Sequence, residues 1–329
     1  MNSLVYRSMH ETARLLAGDF TICDLGSANS ADLPGLRPLR QAITLIELDA
    51  IGVGQTSAPD YYRKIVLQKA ISGQPGRRTF HKRRFAQSSS FLEVKDDLIG
   101  AYGLRSLFET DGTLELECET LPSLLSRHGL ARVDFLKTDL EGIDLEVMAS
   151  APEIVGRSLV IQSELRFQPF YVGEPDFYAV GAFLAGLNFD LIALRPEVWK
   201  YATPHRDLQR DGRLVWADAI FFLRPECVEH SFGDMASVAL VKQIILAYAL
   251  RLPNYAEYLF ERVRPRLPAA IVSELTTYLG RGKGATRLVN ALARLPGGNR
   301  AILSTRRLLL AVARALSYSK TFKHIGFPY

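Results

Sequence analysis

Short apolar runs alternate with helical patterns through the first two thirds of the chain, and this alternation constrains the fold more than any other feature. Five runs have the length and the β-branched content of buried strands: 20–26, 43–49, 65–71, 133–139 and 158–164. Helical patterns follow the last two, at 144–151 and 175–187. Strands that alternate with helices predict a parallel sheet covered on both faces. We therefore expect an α/β fold with a doubly wound sheet.

Two later runs and one insertion modify this simple pattern. The runs 189–194 and 215–223 predict two antiparallel strands at the sheet edge, joined by a polar connection, 195–214, over the ligand face. An insertion, 73–122, separates the third strand from the fourth and carries a run of three serines. It also holds a cluster of basic residues: Arg77, Arg78, Lys82, Arg83 and Arg84.

The charge of the chain is distributed unevenly and suggests its domain organisation. Residues from 231 onward contain 15 Lys/Arg against 4 Asp/Glu, whereas the preceding residues contain 25 against 31. We expect an N-terminal helical extension over 1–17, a catalytic domain over 18–230 and a basic, all-helical C-terminal appendage over 231–329.

Composition excludes several classes of protein. The hydrophobic share of 48% and the charged share of 23% are typical of a globular protein and argue against disorder. No run approaches ~18 apolar residues, and the first residues do not resemble a secretory signal. The three cysteines suit reduced thiols and no zinc spacing. These features predict a cytoplasmic protein.

The end of the first strand and the end of the second predict a cofactor site. Asp24 and Gly26 lead into a loop with Ser27 and Asn29, and Glu47 lies 21 residues after Gly26. An acidic side chain at about that distance accepts hydrogen bonds from both hydroxyls of a ribose, which indicates an adenosine-type cofactor.

The identity of that cofactor follows from charge. The third glycine of the dinucleotide fingerprint is missing, and Asp24 would repel a pyrophosphate. A carboxylate there suits the amino group and the sulfonium of S-adenosyl-L-methionine. Two alternatives stay open: a nicotinamide-dependent oxidoreductase of the same fold, and an ordinary strand turn beside an unrelated Glu47.

The segment 133–148 sharpens this hypothesis because it contains Lys137-Thr-Asp139-Leu-Glu141-Gly142. It resembles the signature of the FkbM-type methyltransferase family, in which an apolar strand ends in Lys-x-Asp-x-Glu-Gly before an acidic helix. The resemblance covers about residues 18–225. It implies a Rossmann-like sheet of the class I methyltransferase type and an S-adenosyl-L-methionine-dependent O-methyltransferase. In this family the acceptor is commonly a hydroxyl of a sugar or of a glycosylated metabolite.

The sequence departs from the family pattern in two places. Ser30 to Asp32 replace the glycine that is usual near the end of the first loop, and Pro122 stands where an Asp is frequent. These departures affect the first-loop contacts. They leave open a non-catalytic cofactor-binding or assembly module as an alternative function.

Carboxylates at strand ends are the candidate catalytic groups. Asp139 and Glu141 are expected beside the transferred methyl group, where they could position the acceptor hydroxyl, take its proton or attract the sulfonium. The alternative is that Asp139 caps the following helix while Glu141 faces Lys137. Glu164, at the end of the fifth strand, and His81, in the basic insertion, are further candidates for the base.

Three small residues complete the predicted cofactor contacts, and no metal site is predicted. By analogy Ala70 lies beside the adenine, and Ser89 and Ser90 could bind the adenine edge or the methionine carboxylate. No ligand spacing demands a metal ion. The expected partner is a small hydroxylated acceptor such as a sugar, a sugar nucleotide or a glycolipid. For the basic tail, solvated helix faces, a surface for phosphate-bearing substrates, peripheral membrane contact and a homodimer stay open. Nucleic-acid binding is not expected, because aromatic residues are not interleaved with the cations.

Overall fold

The computed structural model describes residues 9–26, 33–52, 61–203 and 212–280. Residues Met1–Leu275 form one compact unit, and Thr276–Tyr329 form a second, of which only the end of one helix is described. Two predicted cofactor residues, Ser27 and Asn29, lie outside the described residues. So do all residues after residue 280, which include most of the basic residues of the predicted appendage.

Ten strands form two sheets within the described residues. They are β1 (Phe20–Leu25), β2 (Ile43–Asp49), β3 (Arg63–Gln68), β4 (Ala70–Ile71), β5 (Gly76–Arg83), β6 (Thr110–Glu119), β7 (Phe135–Thr138), β8 (Val160–Arg166), β9 (Phe189–Trp199) and β10 (Arg213–Leu223). The larger sheet has the order β3-β2-β1-β7-β8-β10-β9. Its neighbours run parallel, except that β10 is antiparallel to both β8 and β9. This mostly parallel sheet with helices confirms the predicted α/β class and is consistent with a methyltransferase-like fold.

The central strands are continuous apolar runs because both of their faces are covered. Every residue of β1 and of β2 is buried, as expected for parallel strands with helices on both faces. The described α-helices are α1 (His10–Leu16), α2 (Asp96–Ala101), α3 (Arg105–Phe108), α4 (Leu121–Arg127), α5 (Asp144–Ala149), α6 (Pro152–Val155), α7 (Phe177–Gly186), α8 (Pro225–Phe232), α9 (Ala236–Ala249), α10 (Pro253–Val263) and α11 (Ala269–Gly280). Short 3-10 helices cover Pro34–Ala42, Ala86–Ser88, Gly233–Met235 and Arg264–Arg266.

The predicted third strand divides between the two sheets. β3 ends at Gln68, and the chain then leaves the larger sheet, so that Ala70 belongs to β4. The smaller sheet has the order β4-β6-β5 and occupies the predicted insertion. Members of the basic cluster have acidic neighbours there. Arg77 is in register with Glu117 on β6, and Arg84, which follows β5, lies 3.5 Å from Glu109.

The connection between the last two strands is shorter than predicted. β9 extends to Trp199 and β10 begins at Arg213, so that residues 195–199 and 213–214 of the predicted connection are paired strand. Pro196 lies within β9 without breaking the pairing, because β9 is an edge strand and one side of it needs no N–H donor. The predicted antiparallel pairing is confirmed. β9 alone lies at the edge, whereas β10 lies between β8 and β9.

The predicted C-terminal appendage is not confirmed as a separate part. Lys242 of α9 is fully buried, and its Nζ lies 3.0 Å from Asp134 Oδ1, just before β7. Gln243 donates hydrogen bonds to the carbonyl oxygens of Leu159 and Leu223 at the ends of two strands. The helices up to Leu275 therefore belong to the same compact unit as the sheet. The division into domains at residues 17 and 230 stays a prediction.

One described helical stretch, Pro225–Ala249, is long and apolar enough to cross a membrane. In this protein 61% of its apolar window is buried inside the fold. Its apolar character is explained by packing in the core.

Candidate active site

The carboxyl ends of β1 and β7 meet where the strand order of the larger sheet reverses. Gly26 follows β1 with a φ of +84°, and a Cβ atom there would lie 1.9 Å from the carbonyl oxygen of Asp139. The N–H of Asp139 in turn donates to the carbonyl oxygen of Leu25 at 3.0 Å. Only glycine fits this position. Ligands of doubly wound sheets bind at such a reversal, outside the carboxyl ends of the strands.

Three charged residues occupy one row across β2, β1 and β7 close to this edge. Glu47, Asp24 and Lys137 are in register, so their side chains point to the same face. Lys137 Nζ lies 2.8 Å from Asp24 Oδ1, and the Asp24 side chain has no exposed surface. Asp24, which the sequence predicts as a cofactor ligand, is therefore an ion-pair partner of Lys137.

Glu47 is a buried carboxylate with unused hydrogen-bonding capacity. Its side chain has no exposed surface, and neither of its oxygens accepts a hydrogen bond from another described residue. Lys64 Nζ on β3 lies 2.9 Å from Oε2, which is ion-pair distance without hydrogen-bond geometry. Buried polar atoms in native proteins almost always have partners. Glu47 therefore suits a ligand that brings hydroxyl donors.

The turn after β7 places Glu141 by means of an unusual backbone conformation. Glu141 has a φ of +49°, which is uncommon for a residue with a side chain, and Gly142 follows with a φ of +103°. Ser90 Oγ donates to the carbonyl oxygen of Glu141 at 2.6 Å and holds the turn. Neither predicted alternative is observed. Helix α5 has no side-chain cap from Asp139, and Glu141 contacts Arg166 rather than Lys137.

Arg166, at the end of β8, joins the carboxylates of this site. Its guanidinium contacts Glu164 through one terminal nitrogen and lies 2.6 Å from Glu141 Oε2 through the other. Its Nε lies 3.3 Å from Glu174 Oε1. Arg166 is itself buried, with 6% of its side chain exposed. The sequence analysis missed this residue, although it follows Glu164 by two positions and therefore shares its face of the strand.

The loop after β8 supplies two further residues that the sequence analysis missed. The Tyr171 hydroxyl lies 2.9 Å from Glu141 Oε2 and 2.8 Å from the carbonyl oxygen of Ser88. Glu174 Oε2 accepts hydrogen bonds from the backbone N–H groups of Phe170 and Tyr171. The loop is thus folded around the carboxylate of Glu174, which also binds Arg166.

Burial has the largest effect on the pKa values of the clustered acids. It raises the pKa of Glu141 to about 7, although Arg166 opposes the shift. Burial also raises the pKa of Asp144 to about 6 and raises the pKa of Asp139. For Lys137, burial lowers the pKa, but the neighbouring carboxylates, Asp24 first among them, raise it more, so that its pKa lies above the usual range. Lys137 therefore stays charged, whereas Glu141 and Asp144 can exchange protons near neutral pH.

Three of the predicted catalytic carboxylates converge. One oxygen each of Asp139, Glu141 and Glu164 lies within 4.8 Å of the others, a spacing that would suit a metal ion. Arg166 already contacts two of the three and supplies positive charge to the cluster. Among the described residues no hydrogen bond or ion pair reaches the Asp139 carboxylate. Asp139 is therefore the member of the cluster that is available to a ligand.

The remaining predicted site residues lie in or beside the insertion. The His81 imidazole lies 3.6 Å from Glu93, and its backbone pairs with Ser90. Ser89 Oγ accepts a hydrogen bond from the Arg83 N–H, and Ser90 Oγ binds the turn at Glu141. Ala70 is buried in β4. The structure therefore brings Ser90 to the carboxylate cluster, and it uses both serine hydroxyls for contacts within the protein.

Comparison with known families finds one match that includes this cluster. Residues 36–191 match the methyltransferase FkbM domain. The match confirms the resemblance predicted from Lys137-x-Asp139-x-Glu141-Gly142 and indicates a methyltransferase. No curated protein and no solved structure matches the chain significantly.

The FkbM match is narrower than the predicted resemblance over 18–225. It contains Glu47 and the whole Asp139–Glu141–Glu164 cluster, whereas β1 with Gly26 precedes it and β10 follows it. The sheet nevertheless joins these parts, since β1 pairs with β2 and with β7 inside the FkbM segment.

Proposed function

We propose that this protein transfers a methyl group from S-adenosyl-L-methionine to a hydroxyl of a saccharide or glycosylated metabolite. The methyltransferase class is supported by the FkbM domain. The observation that carries the choice of donor is Glu47, a fully buried carboxylate without a hydrogen-bond donor among the described residues, on the strand next to Gly26.

The described residues fit such a donor. The two oxygens of Glu47 can accept hydrogen bonds from the two hydroxyls of its ribose. Gly26 lets the ends of β1 and β7 approach each other closely beside this position. When bound, S-adenosyl-L-methionine supplies an electrophilic methyl group on a positively charged sulfur. The surrounding carboxylates favour that charge over an anionic pyrophosphate.

In this proposal Asp139 acts on the acceptor. A sugar hydroxyl is a weak nucleophile, and a base that takes its proton typically contributes ~10²–10⁴-fold to the rate. Burial raises the pKa of Asp139 and makes it a stronger base than an exposed aspartate. No hydrogen bond from a described residue competes for its oxygens. Lys137, held by Asp24, keeps a positive charge near the same position.

The test is calorimetric titration of S-adenosyl-L-methionine into the wild type and three variants. Glu47→Gln should weaken donor binding by roughly 10–100-fold, because hydrogen bonds to a charged acceptor contribute about 1.5–3 kcal/mol. Asp139→Asn should leave the donor affinity nearly unchanged. Glu117→Gln, on an exposed strand of the smaller sheet, is the matched control. Equal losses in Glu47→Gln and Asp139→Asn would contradict this division of roles.

Catalysis needs a separate measurement. We expect transfer of tritiated methyl groups to at least one member of a panel of sugar nucleotides and glycolipids, and loss of that transfer in Asp139→Asn. Donor binding without transfer to any member would favour a non-catalytic module instead. Titration with NAD and NADH in parallel tests the oxidoreductase alternative, which requires that one of them bind in place of S-adenosyl-L-methionine.

A further inference from the structure

Arg166 differs from the other charged residues of the site because it contacts three carboxylates at once. Its two terminal nitrogens bind Glu141 and Glu164, and its Nε binds Glu174. The guanidinium also lies 4.9 Å from the ring centroid of Phe170 and 6.0 Å from that of Trp216. A planar guanidinium with donors on three edges can satisfy such an arrangement, whereas a lysine ammonium is a point charge and cannot do so in the same geometry.

Glu174 and the loop after β8 hold Arg166 in position on the Nε side of its guanidinium. Glu174 binds its Nε at 3.3 Å and is fixed by the N–H groups of Phe170 and Tyr171. A Cβ atom on Gly142 would lie 3.3 Å from Glu174, so the turn after β7 packs directly on this carboxylate. The orientation of Arg166 is therefore set by a loop that is hydrogen-bonded to Glu174 and packed on the turn after β7.

The consequence concerns which acid is available to the acceptor. Glu141 Oε2 is within hydrogen-bond distance of both Arg166 and Tyr171, and Glu164 is bound by Arg166. Asp139 has no such partner among the described residues. The three acids lie close together, but described residues bind Glu141 and Glu164 and not Asp139.

We propose that Arg166 is a positioning residue of the methyl-transfer site. It holds Glu141 and Glu164 in place through ion pairs and leaves Asp139 as the reactive carboxylate. The inference rests on the proposed function for the role of Asp139 in transfer. Which of the three acids Arg166 binds, and which it leaves available, can be tested without a methyl donor or a methyl acceptor.

Charge explains why the cluster requires this residue. The charged and titratable groups that face Arg166 come from the turn after β7, from α5, from β8 and from the loop after it: Asp139, Glu141, Asp144, Glu164, Tyr171 and Glu174. The guanidinium opposes the upward shift in pKa that burial causes in Glu141 and Glu164. Without it, these acids would take up protons and lose their fixed orientation.

Carbodiimide labelling with glycine ethyl ester, read by peptide mapping, tests the proposal directly. In the wild type we expect Asp139 to be modified several-fold faster than Glu141 and Glu164. In Arg166→Met the labelling of Glu141 and Glu164 should rise several-fold, and Arg166→Lys should restore part of the protection. Equal labelling of the three acids in the wild type would overturn the proposal, and so would an unchanged pattern in Arg166→Met.

Arg262→Met is the matched control, since Arg262 also binds carboxylates, Glu226 and Glu229, far from the cluster in sequence. It should change the labelling of those two residues and not that of the cluster. If Arg166→Met does not fold, the order of labelling in the wild type and in Arg166→Lys still decides the question.

A pH series separates positioning from a merely structural contribution. Loss of the guanidinium should raise the pKa values of the paired acids further, so Arg166→Met should lose more stability at about pH 8 than at about pH 5. Arg166→Lys, which keeps the charge, should show a smaller difference. An Arg166→Met penalty that is independent of pH would contradict the charge argument.

Addition of S-adenosyl-L-methionine to the labelling reaction separates the two proposals. Protection of Asp139 by the donor supports its place at the transfer centre. Failure of the donor to bind or to protect Asp139 would count against the proposed function. The dependence of Glu141 and Glu164 on Arg166 would be measured in either case.

Discussion

Substitution of Gly26 by alanine tests the contact on which the geometry of the site depends. The new Cβ would lie 1.9 Å from the carbonyl oxygen of Asp139 and 2.7 Å from its carbonyl carbon. Both are backbone atoms, so no rotamer change relieves the overlap, and the ends of β1 and β7 must separate. Forced overpacking costs about 1–3 kcal/mol, and the positive φ of +84° adds about 1–2 kcal/mol for a residue with a side chain. We expect a loss of about 2–5 kcal/mol in the free energy of unfolding.

Two other glycines separate these contributions. Gly129 has a φ of +67° and open space around its Cβ position, so Gly129→Ala should incur only the conformational cost. Gly181, within α7, has neither a positive φ nor a close neighbour, and Gly181→Ala should stabilise the protein by about 0.5–1 kcal/mol.

Urea denaturation of the three variants measures these differences. In thermal unfolding, each kcal/mol corresponds to about 2–4 °C for a unit of this size, so Gly26→Ala should lower Tm by roughly 4–20 °C. A Gly26→Ala variant no less stable than Gly129→Ala would refute the claim that β1 and β7 are in backbone contact at this point.

Further outcomes follow from buried charges and thiols. Lys242→Met should destabilise the protein by up to about 3–5 kcal/mol in urea denaturation, because it removes the nearer cation of the buried Asp134 and leaves Arg132, whose Nε lies 3.6 Å from Asp134 Oδ1. Asp134→Asn in the same background should recover part of the loss. The raised pKa of Glu141, about 7, means that the native state holds a proton that the unfolded chain releases near pH 4.5. This contribution to stability is present below about pH 4.5 and is lost as the pH rises through about 7, so Glu141→Gln should flatten the decline of Tm over that range. A thiol reagent should modify Cys227 in the native protein, while the other two cysteines, which are buried, should react only after unfolding.

The order of the strands was accessible from the sequence, while the exact lengths of some were not. Continuous apolar runs such as 20–26 and 43–49 need both faces covered, and this requirement predicts central parallel strands. The run 65–71 was misleading because it is equally apolar on both sides of Lys69, where the chain changes sheets. The length of β9 was underestimated because an internal Pro196 ordinarily ends a strand, and only its edge position tolerates it.

The site was predictable where the local sequence carries the constraint. The Lys-x-Asp-x-Glu-Gly block lies within one turn, so the closeness of Asp139 and Glu141 follows from their spacing. Arg166 and Glu174 escaped prediction because their partners lie on other elements. Their roles depend on the register of β7 against β8 and on the fold of the loop after β8. Asp24 was assigned to the cofactor because its salt bridge with Lys137, 113 residues away, is not visible in the sequence.

The excess of buried carboxylates at the site connects the raised pKa values of its acids with the proposed binding of a positively charged donor. Among the described residues, the carboxylates at or near the carboxyl edge outnumber the cations that face them, Lys64, Lys137 and Arg166. Buried carboxylates in excess must take up protons or bind a cation, since isolated buried charges are unfavourable. The upward pKa shifts of Asp139, Glu141 and Glu164 are the first response. A sulfonium donor would provide the second. Its affinity should therefore fall as the pH drops below about 7 and Glu141 becomes neutral, whereas the affinity of S-adenosyl-L-homocysteine, which lacks the sulfonium charge, should change less. Calorimetry of both ligands across that range compares them directly.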